Sequence, residues 1–450
     1  MKKHLLFSLL LLLCLLASGA SQAQNTPEIH AGLFFKSFWE RDTTTCLNLG
    51  DSLMRVYVSG SKLNKIQADL ATQFGKLVRT EASTSTTKPE FTEVFLPCLF
   101  ERTGYGFVVN VNNKNEVVGF FLKPLTQGGQ DPASKYTKPV YDNPNVYTET
   151  ALTIKNESFE LPAILTMPKG KKNVPVLVFV HGSGPNDYDE TIYSTKLFRD
   201  LAVGLAAQGV GSLRYTKRTK AYPNFVTKDL EKLTVEDEVI SDAIKALKTT
   251  ENLENVDKKQ IYLLGHSLGA MLAPVILKNY KKEAGMILLA GTVRPLEDLI
   301  LEQVAYLSAN DSSQNAVLGI KIMTEQVQNV KNNAQKTTDF SKDLPLGLPI
   351  NYWLSLSKLQ LAQDVTAYQT KPVLVLQGRR DYQVPYTEVE TYKNLLKDNK
   401  KAAFKIYEKL NHLFMEGEGR STPTEYYNVT NMPLEVAQDI ASFVQKQANK

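Results

Sequence analysis

The chain has 450 residues, too many for one compact domain and enough for two or three. Hydrophobic residues make up 43% and charged residues 22%, close to the globular average, which excludes wholesale disorder and a collagen-like repeat. Lys and Arg total 52 against 47 Asp and Glu, a surplus too mild to signal nucleic-acid binding; three cysteines and five histidines argue against a disulfide-dense scaffold or a multi-metal enzyme.

Residues 1–23 read as a signal peptide. Lys2, Lys3 and His4 give a positive start, Leu5 to Leu16 is an apolar run of twelve containing one Ser and one Cys, and Ser21-Gln22-Ala23 supplies the small residues of a cleavage site. A membrane-spanning helix needs roughly twenty apolar residues, so cleavage near Ala23 is expected rather than a retained anchor. Lipid attachment at Cys14 is disfavoured because Leu13 stands where a small residue belongs. No later apolar stretch approaches membrane length, so the mature chain is expected in the periplasm or outside the cell, without stable membrane insertion. Losing Lys2 and Lys3 leaves 50 basic against 47 acidic residues, a nearly neutral surface.

Residues 24–125 have the pattern of a small α+β domain. From about His30 to Leu77 the signals are helical, with Leu63, Ile66, Leu70, Phe74 and Leu77 on one helix face. From Phe91 to Leu122 they change to strands: Phe107, Val109 and Val111 alternate, and Asn112-Asn113-Lys114-Asn115 reads as a hairpin turn. Export would put Cys46 and Cys98 where they can form a disulfide; the alternative is two buried small apolar side chains. Residues 126–145, with Gln127-Gly128-Gly129-Gln130-Asp131-Pro132, Pro139 and Pro144, read as a linker.

Residues 146–450 have a different rhythm. β-like stretches at Tyr147–Ile154 and Leu161–Met167 lead into Val174–Val180, a continuous apolar run as expected of a strand buried on both faces. A helix is expected over Leu197–Gln208, a strand over Gly211–Tyr215, and a helix over Val235–Leu247, opened by Thr234 with Asp237 three residues on, a variant capping box. Further strands are expected at Ile261–Leu264, Met286–Ala290 and Val373–Gln377. Buried strands alternating with amphipathic helices predict a mostly parallel, doubly wound sheet, with ligands at the carboxyl ends of its strands.

Three loops after those strands carry chemistry. His181-Gly182-Ser183-Gly184-Pro185-Asn186-Asp187-Tyr188-Asp189-Glu190 follows the strand ending at Val180 and is suited to present backbone N–H groups to a developing oxyanion. Gly265-His266-Ser267-Leu268-Gly269 lies between a strand and an apolar helix, the Gly-x-Ser-x-Gly pattern that lifts a serine hydroxyl above a sheet. The amides of Ser183 and Leu268 are the candidate oxyanion donors. Asp381 alone among the later aspartates promptly follows a buried parallel-type strand.

A serine needs a base, and the histidine census supplies one. His4 leaves with the leader, His30 belongs to the first domain, His181 ends a strand, and His266 is held beside the serine in a direction unsuited to its neighbour's oxygen. His412, after the strand-like Ala402–Tyr407, remains. Ser267, Asp381 and His412 thus follow the Ser, Asp, His order of hydrolases in this fold class. The 146–450 region has no cysteine, which excludes a thiol nucleophile or cysteine-bound zinc there; no cofactor or metal is implied.

Between Ala290 and Val373 lie about eighty residues, far beyond an ordinary crossover. They are helical in pattern, so residues 292–370 are expected to form a cap over the strand ends or, alternatively, a peripheral decoration. Tyr306, Met323, Tyr352, Trp353 and Leu354 are candidates to line an acyl pocket.

His181–Glu190, Leu213–Thr219, the elbow and Gly291–Asp298 together resemble bacterial serine esterases of the α/β-hydrolase superfamily that carry a small α+β domain of unknown function ahead of the hydrolase. The resemblance spans essentially the whole mature chain. It implies an α/β-hydrolase fold with a cap insertion, a first domain like the cone-shaped α+β folds, activity on short acyl esters, and roles for Ser267 as nucleophile, Asp381 as acid and His412 as base. Tyr188 stands where such esterases usually have Arg, and Thr216 where they have Asp, which puts substrate preference and a polar contact near the mouth in question. The expected function is an exported serine carboxylesterase acting on small-molecule esters. A peptidase or thioesterase with the same triad, or a non-catalytic binder of cell-envelope material, are the other readings; an acyl-CoA substrate fits poorly with export.

Overall fold

A computed structural model of the protein describes residues 26–88, 90–101, 104–124, 136–222, 230–309, 314–333 and 344–448. Residues 1–23, expected to be a signal peptide, and the expected linker stretch Gln127–Pro132 lie outside the described residues. The chain divides into two compact units, Met1–Gly129 and Gln130–Lys450.

In the first unit, helices Pro27–Trp39, Thr43–Leu49, Ser52–Tyr57 and Gly60–Phe74 start at Thr26, Asp42, Asp51 and Ser59, each side chain accepting a backbone N–H of the first turn. They precede an antiparallel sheet in which Phe91–Phe100 pairs with Gly104–Asn112, which pairs with Val117–Pro124. Phe34, Phe38, Phe107 and Phe120 meet ring to ring, so aromatic packing dominates this core. Leu77 corrects the helical pattern: the helix stops at Phe74, Gly75 takes φ 81°, and Leu77 opens the strand Leu77–Thr80. That strand and Thr84–Thr87 also pair with Phe91–Phe100. Thr84–Thr87 is exposed throughout and carries no apolar alternation, which is why its sequence reads as loop. Cys46 and Cys98 are free and fully buried, and burial pushes each thiol up to about 12, with Asp42 adding to the effect at Cys46.

The second unit is built on an eight-stranded sheet. From one edge the strands are Ala402–Tyr407, Val373–Gly378, Gly285–Leu289, Val256–His266, Val174–Val180, Gly211–Tyr215, Phe159–Pro168 and Tyr147–Asn156. The first six run parallel, and the last two pair antiparallel. This is the mostly parallel α/β sheet the sequence predicts. The central parallel strands are buried on both faces, with Val176, Val178 and Leu263 in one core and Leu177, Phe179 and Leu264 in the other, while the edge strand Ala402–Tyr407 is partly buried. The second of these cores is closed by Leu197–Ala207 and by the C-terminal helix Leu434–Ala448, which buries Val436, Ile440 and Val444.

Local signals explain several boundaries. Asp237 accepts from the backbone N–H of Thr234 and from its hydroxyl, while Thr234 Oγ1 accepts from Asp237 N–H, so the capping box forms. The turn it opens, Glu236–Ile240, is wound as a π-helix before the α-helix Ser241–Thr250. The segment from Tyr136 is not a free tether: the hydroxyl of Tyr136 donates to Asp200 at 2.6 Å and that of Tyr141 to the Met432 carbonyl at 2.7 Å. The insertion comprises helices Leu296–Ser308, Gln314–Asn333, Ile350–Ser357 and Leu361–Thr366 among its described residues. No helix of the described residues is long and apolar enough to cross a membrane.

Candidate active site

Ser267 follows the strand Val256–His266 and immediately precedes the helix Leu268–Tyr280. It has φ 53° and ψ −116°, a backbone conformation that side chains rarely adopt and that costs on the order of 1–3 kcal/mol. The surrounding glycines make that turn possible. A Cβ on Gly265 would stand 2.3 Å from the Gly269 carbonyl oxygen, and one on Gly269 would stand 2.1 Å from that of Val180. The Ser267 N–H donates to the Leu289 carbonyl at 2.9 Å, which ties the turn to the next strand. Its side chain is half-buried, reachable from solvent.

Asp381 and His412 are brought together from two other strand ends. His412 Nδ1 lies 2.8 Å from Asp381 Oδ2, with both residues buried. Four donors converge on the Asp381 carboxyl: His412 and Gln377 Nε2 on Oδ2, and the amides of Gln383 and Val384 on Oδ1. This fixes its orientation and leaves the His412 Nε2 edge turned away from the acid. The His412 loop is itself locked by Asn411, whose side-chain oxygen accepts from Leu413 and Met415 amides at 3.1 Å. Glu425 joins the two loops, accepting from Asn411 Nδ2 at 3.0 Å and from the Arg380 guanidinium. Nothing in the sequence distinguishes Glu425 or Arg380 from surface charges.

The elbow and the His412 loop meet through His266. Its ring lies against that of His412, with centroids 4.8 Å apart, and its Nε2 is 2.9 Å from the His412 carbonyl oxygen. His266, expected to point away from its neighbour's hydroxyl, thus packs against His412, the candidate base.

The loop His181–Glu190 is held on three sides. Gly182 N–H donates to Glu190 Oε1 at 2.7 Å, Lys217 Nζ donates to the Gly182 carbonyl at 2.9 Å, and Gly184 N–H donates to Glu238 Oε1 at 3.2 Å. Between these, the Ser183 N–H has no partner among the described residues. Leu268 is the first residue of its helix, so its N–H also has no intrahelical acceptor, and the helix N-terminus favours negative charge there. A Cβ on Gly182 would lie 3.2 Å from Ser267 Cβ, so the loop passes directly beside the serine. Lys217 and Glu238 form a buried ion pair at 2.5 Å, and Tyr352 of the insertion donates to the other oxygen of Glu238. The π-helical turn after Thr234 is what carries Glu238 to this position.

Among the expected acyl-pocket residues, Tyr352 and Trp353 instead sit in the main core, 0% and 1% exposed, and Met323 packs against it. Tyr306 stacks on Tyr382, next to Asp381, with centroids 5.5 Å apart. Together with Ile192, Tyr193, Leu413, Met415 and Tyr426 it makes an apolar cluster flanking the acid and base loops. Tyr188 has a cationic neighbour, with Arg214 5.9 Å above its ring, and Arg214 also pairs with Asp189 and Glu149. Thr216 is buried with its N–H on the Pro162 carbonyl.

The chain is similar in sequence to known hydrolases. A family model described as serine aminopeptidase, S33 matches residues 196–419. The chain is 32% identical over 417 residues to the esterase EstD of Thermotoga maritima, an alignment covering 92% of this chain and 95% of that protein. Among solved structures, Est1E from Butyrivibrio proteoclasticus is 19% identical with TM-score 0.43, covering 67% of this chain and 99% of that one. An esterase of Pyrococcus furiosus is 15% identical with TM-score 0.42, covering 70% and 97%. With that full-length relative and this fold, the chain belongs to the esterases of the α/β-hydrolase superfamily, enzymes of the carboxylic ester hydrolase class.

Proposed function

We propose that the protein is an exported serine carboxylesterase that cleaves short-chain acyl esters through an acyl-enzyme on Ser267. The observation that carries the reading is the 2.8 Å contact between His412 and Asp381, with His412 packed on His266, the residue that precedes a serine held at φ 53°. In the proposed cycle His412 Nε2 takes the Ser267 proton as Oγ attacks the ester carbonyl, and Asp381 holds Nδ1–H so that the imidazolium is stabilised. The N–H groups of Ser183 and Leu268 receive the oxyanion, a contribution of about 10² to 10³ in rate for one such donor. As the tetrahedral intermediate collapses, His412 gives the proton to the leaving alcohol. Water then repeats the sequence on the acyl-enzyme and releases the carboxylic acid.

The family description as aminopeptidase supports a second reading in which the same groups cleave an aminoacyl amide. Purified mature protein assayed on p-nitrophenyl acetate, p-nitrophenyl butyrate, aminoacyl p-nitroanilides and acetylated sugars separates the two. Ester turnover exceeding anilide turnover is the expected result, and preferential anilide cleavage would transfer the assignment to peptidase.

Export rests on the positive start, apolar run and small residues of 1–23. N-terminal sequencing of protein recovered from cell fractions should find a chain starting after Ala23 outside the cytoplasm. Full-length protein confined to the cytoplasm would contradict it.

A further inference from the structure

The esterase reading does not use Glu190, yet this carboxylate is 1% exposed and lies where three parts of the site meet. Its Oε1 accepts from Gly182 N–H at 2.7 Å, and its Oε2 is 3.1 Å from His266 Nδ1. Glu190 itself has φ 50°, so the chain accepts local strain to aim this side chain inward. On the far side of the ring, His266 Nε2 faces the His412 carbonyl oxygen at 2.9 Å. Both nitrogens of His266 therefore face oxygen acceptors. A neutral imidazole has one donor and one acceptor nitrogen; with Nε2 donating to the His412 carbonyl, Nδ1 meets the Glu190 carboxylate favourably only when it too carries a proton, as one partner of an ion pair and not of an aligned hydrogen bond.

We propose that Glu190 and His266 form a buried carboxylate–imidazolium brace that positions the oxyanion loop and the base loop about Ser267, His266 acting through the His412 carbonyl. The inference rests on the serine esterase reading above. Neither residue touches the reacting atoms; both are positioning residues. Glu190 sets the Gly182 amide plane, and with it the adjoining Ser183 N–H. His266, one residue from Ser267, fixes the backbone of His412, so that nucleophile, base and oxyanion donor share one anchor.

Electrostatics supports the charged form. Burial disfavours the His266 cation, but Glu190, the His412 carbonyl and the more distant Asp381 outweigh it and raise its affinity for a proton. Burial likewise disfavours the Glu190 anion, and His266, His181 and the Gly182 amide reverse that and lower its pKa. A buried charged pair whose outer atoms, Glu190 Oε1 and His266 Nε2, are hydrogen-bonded to the backbone is costly to rearrange, which suits a part that must not move.

The test uses mature protein labelled with ¹⁵N-histidine, together with His266→Gln, His266→Leu and Glu190→Gln. In the wild type at neutral pH, the ring signals lost in His266→Gln should show two protonated nitrogens, and Glu190→Gln should leave that ring with one. With p-nitrophenyl butyrate, His266→Leu should lower kcat by about a hundredfold while KM stays within about threefold, the size of effect expected from misplacing catalytic groups. His266→Gln, which keeps a donor for the His412 carbonyl, should recover a substantial part of that loss. A singly protonated His266 in the wild type, or a Leu variant with wild-type kcat, overturns the brace. Ser267→Ala run in parallel judges the underlying reading separately: activity surviving there refutes the serine esterase, whereas the ring protonation needs no turnover.

Discussion

The Nδ1 of His412 lies 2.8 Å from Oδ2 of Asp381, and the other donors to that carboxyl hold it so that no alternative orientation is available. Asp381→Asn would preserve the shape but can present an N–H to Nδ1, selecting the tautomer that cannot accept the Ser267 proton. The expected outcome is a loss of about 10⁴ in kcat near neutral pH with the fold intact by circular dichroism. A rate within tenfold of wild type would move the acid role to another residue.

The Lys217–Glu238 pair is the next place to look. Lys217 is 2% exposed and pairs with Glu238 at 2.5 Å while bonding the Gly182 carbonyl. Lys217→Met strands the Glu238 carboxylate, which should cost roughly 3–5 kcal/mol of stability in urea unfolding. Adding Glu238→Gln removes the stranded charge and should restore much of that stability. Activity should not return with it, because Gly182 and Gly184 have lost their charged holds. Full recovery of kcat in the double variant would show that the clamp is dispensable for the oxyanion loop.

Gly269→Ala tests the elbow itself. The added Cβ would lie 2.1 Å from the Val180 carbonyl oxygen, a contact with backbone and not with a yielding side-chain end. A loss of at least about 2–3 kcal/mol is expected, the upper range for overpacking a dense interior. An alanine variant as stable as the parent would mean that the strand and helix do not approach as closely as described.

His181 gives a pH dependence of defined sign. It is fully buried, and burial holds its imidazole down to about 4, with Glu190 opposing and Lys217 assisting. An unfolded-chain histidine takes its proton near pH 6.5, so between those values the unfolded state binds a proton that the folded state refuses. This contribution, about 3 kcal/mol, is present in full above pH 6.5 and is lost as pH falls toward 4. Urea unfolding of wild type and His181→Asn across that window should give curves that converge at acid pH. Parallel curves would assign the acid sensitivity elsewhere.

Much of the fold was legible in the sequence because the signals were local and strong. The all-apolar Val174–Val180 could hardly be anything but a central strand, and Gly265-His266-Ser267-Leu268-Gly269 announces its own turn geometry. His412 is reached as the candidate base by subtraction among five histidines, and the structure places it against Asp381. What could not be read were relations between distant residues of unremarkable type. Glu190, Lys217, Glu238 and Glu425 resemble surface charges in sequence; Lys217 and Glu238, 21 positions apart, pair in the interior and there hold Gly182 and Gly184. Leu77 misled for the opposite reason, since its helical spacing is real but Gly75 ends the helix first. Tyr352 and Trp353 were apolar enough for a pocket, and the structure uses them to seat the insertion.

The central claim is that Ser267 is the nucleophile, and covalent labelling tests it most directly. Mature protein treated with a fluorophosphonate should gain one probe mass, mapped by peptide mass spectrometry to Ser267 and absent from Ser267→Ala, whose hydrolysis of p-nitrophenyl butyrate should fall to background. A probe attached elsewhere, or an alanine variant that still labels and turns over, would contradict the account.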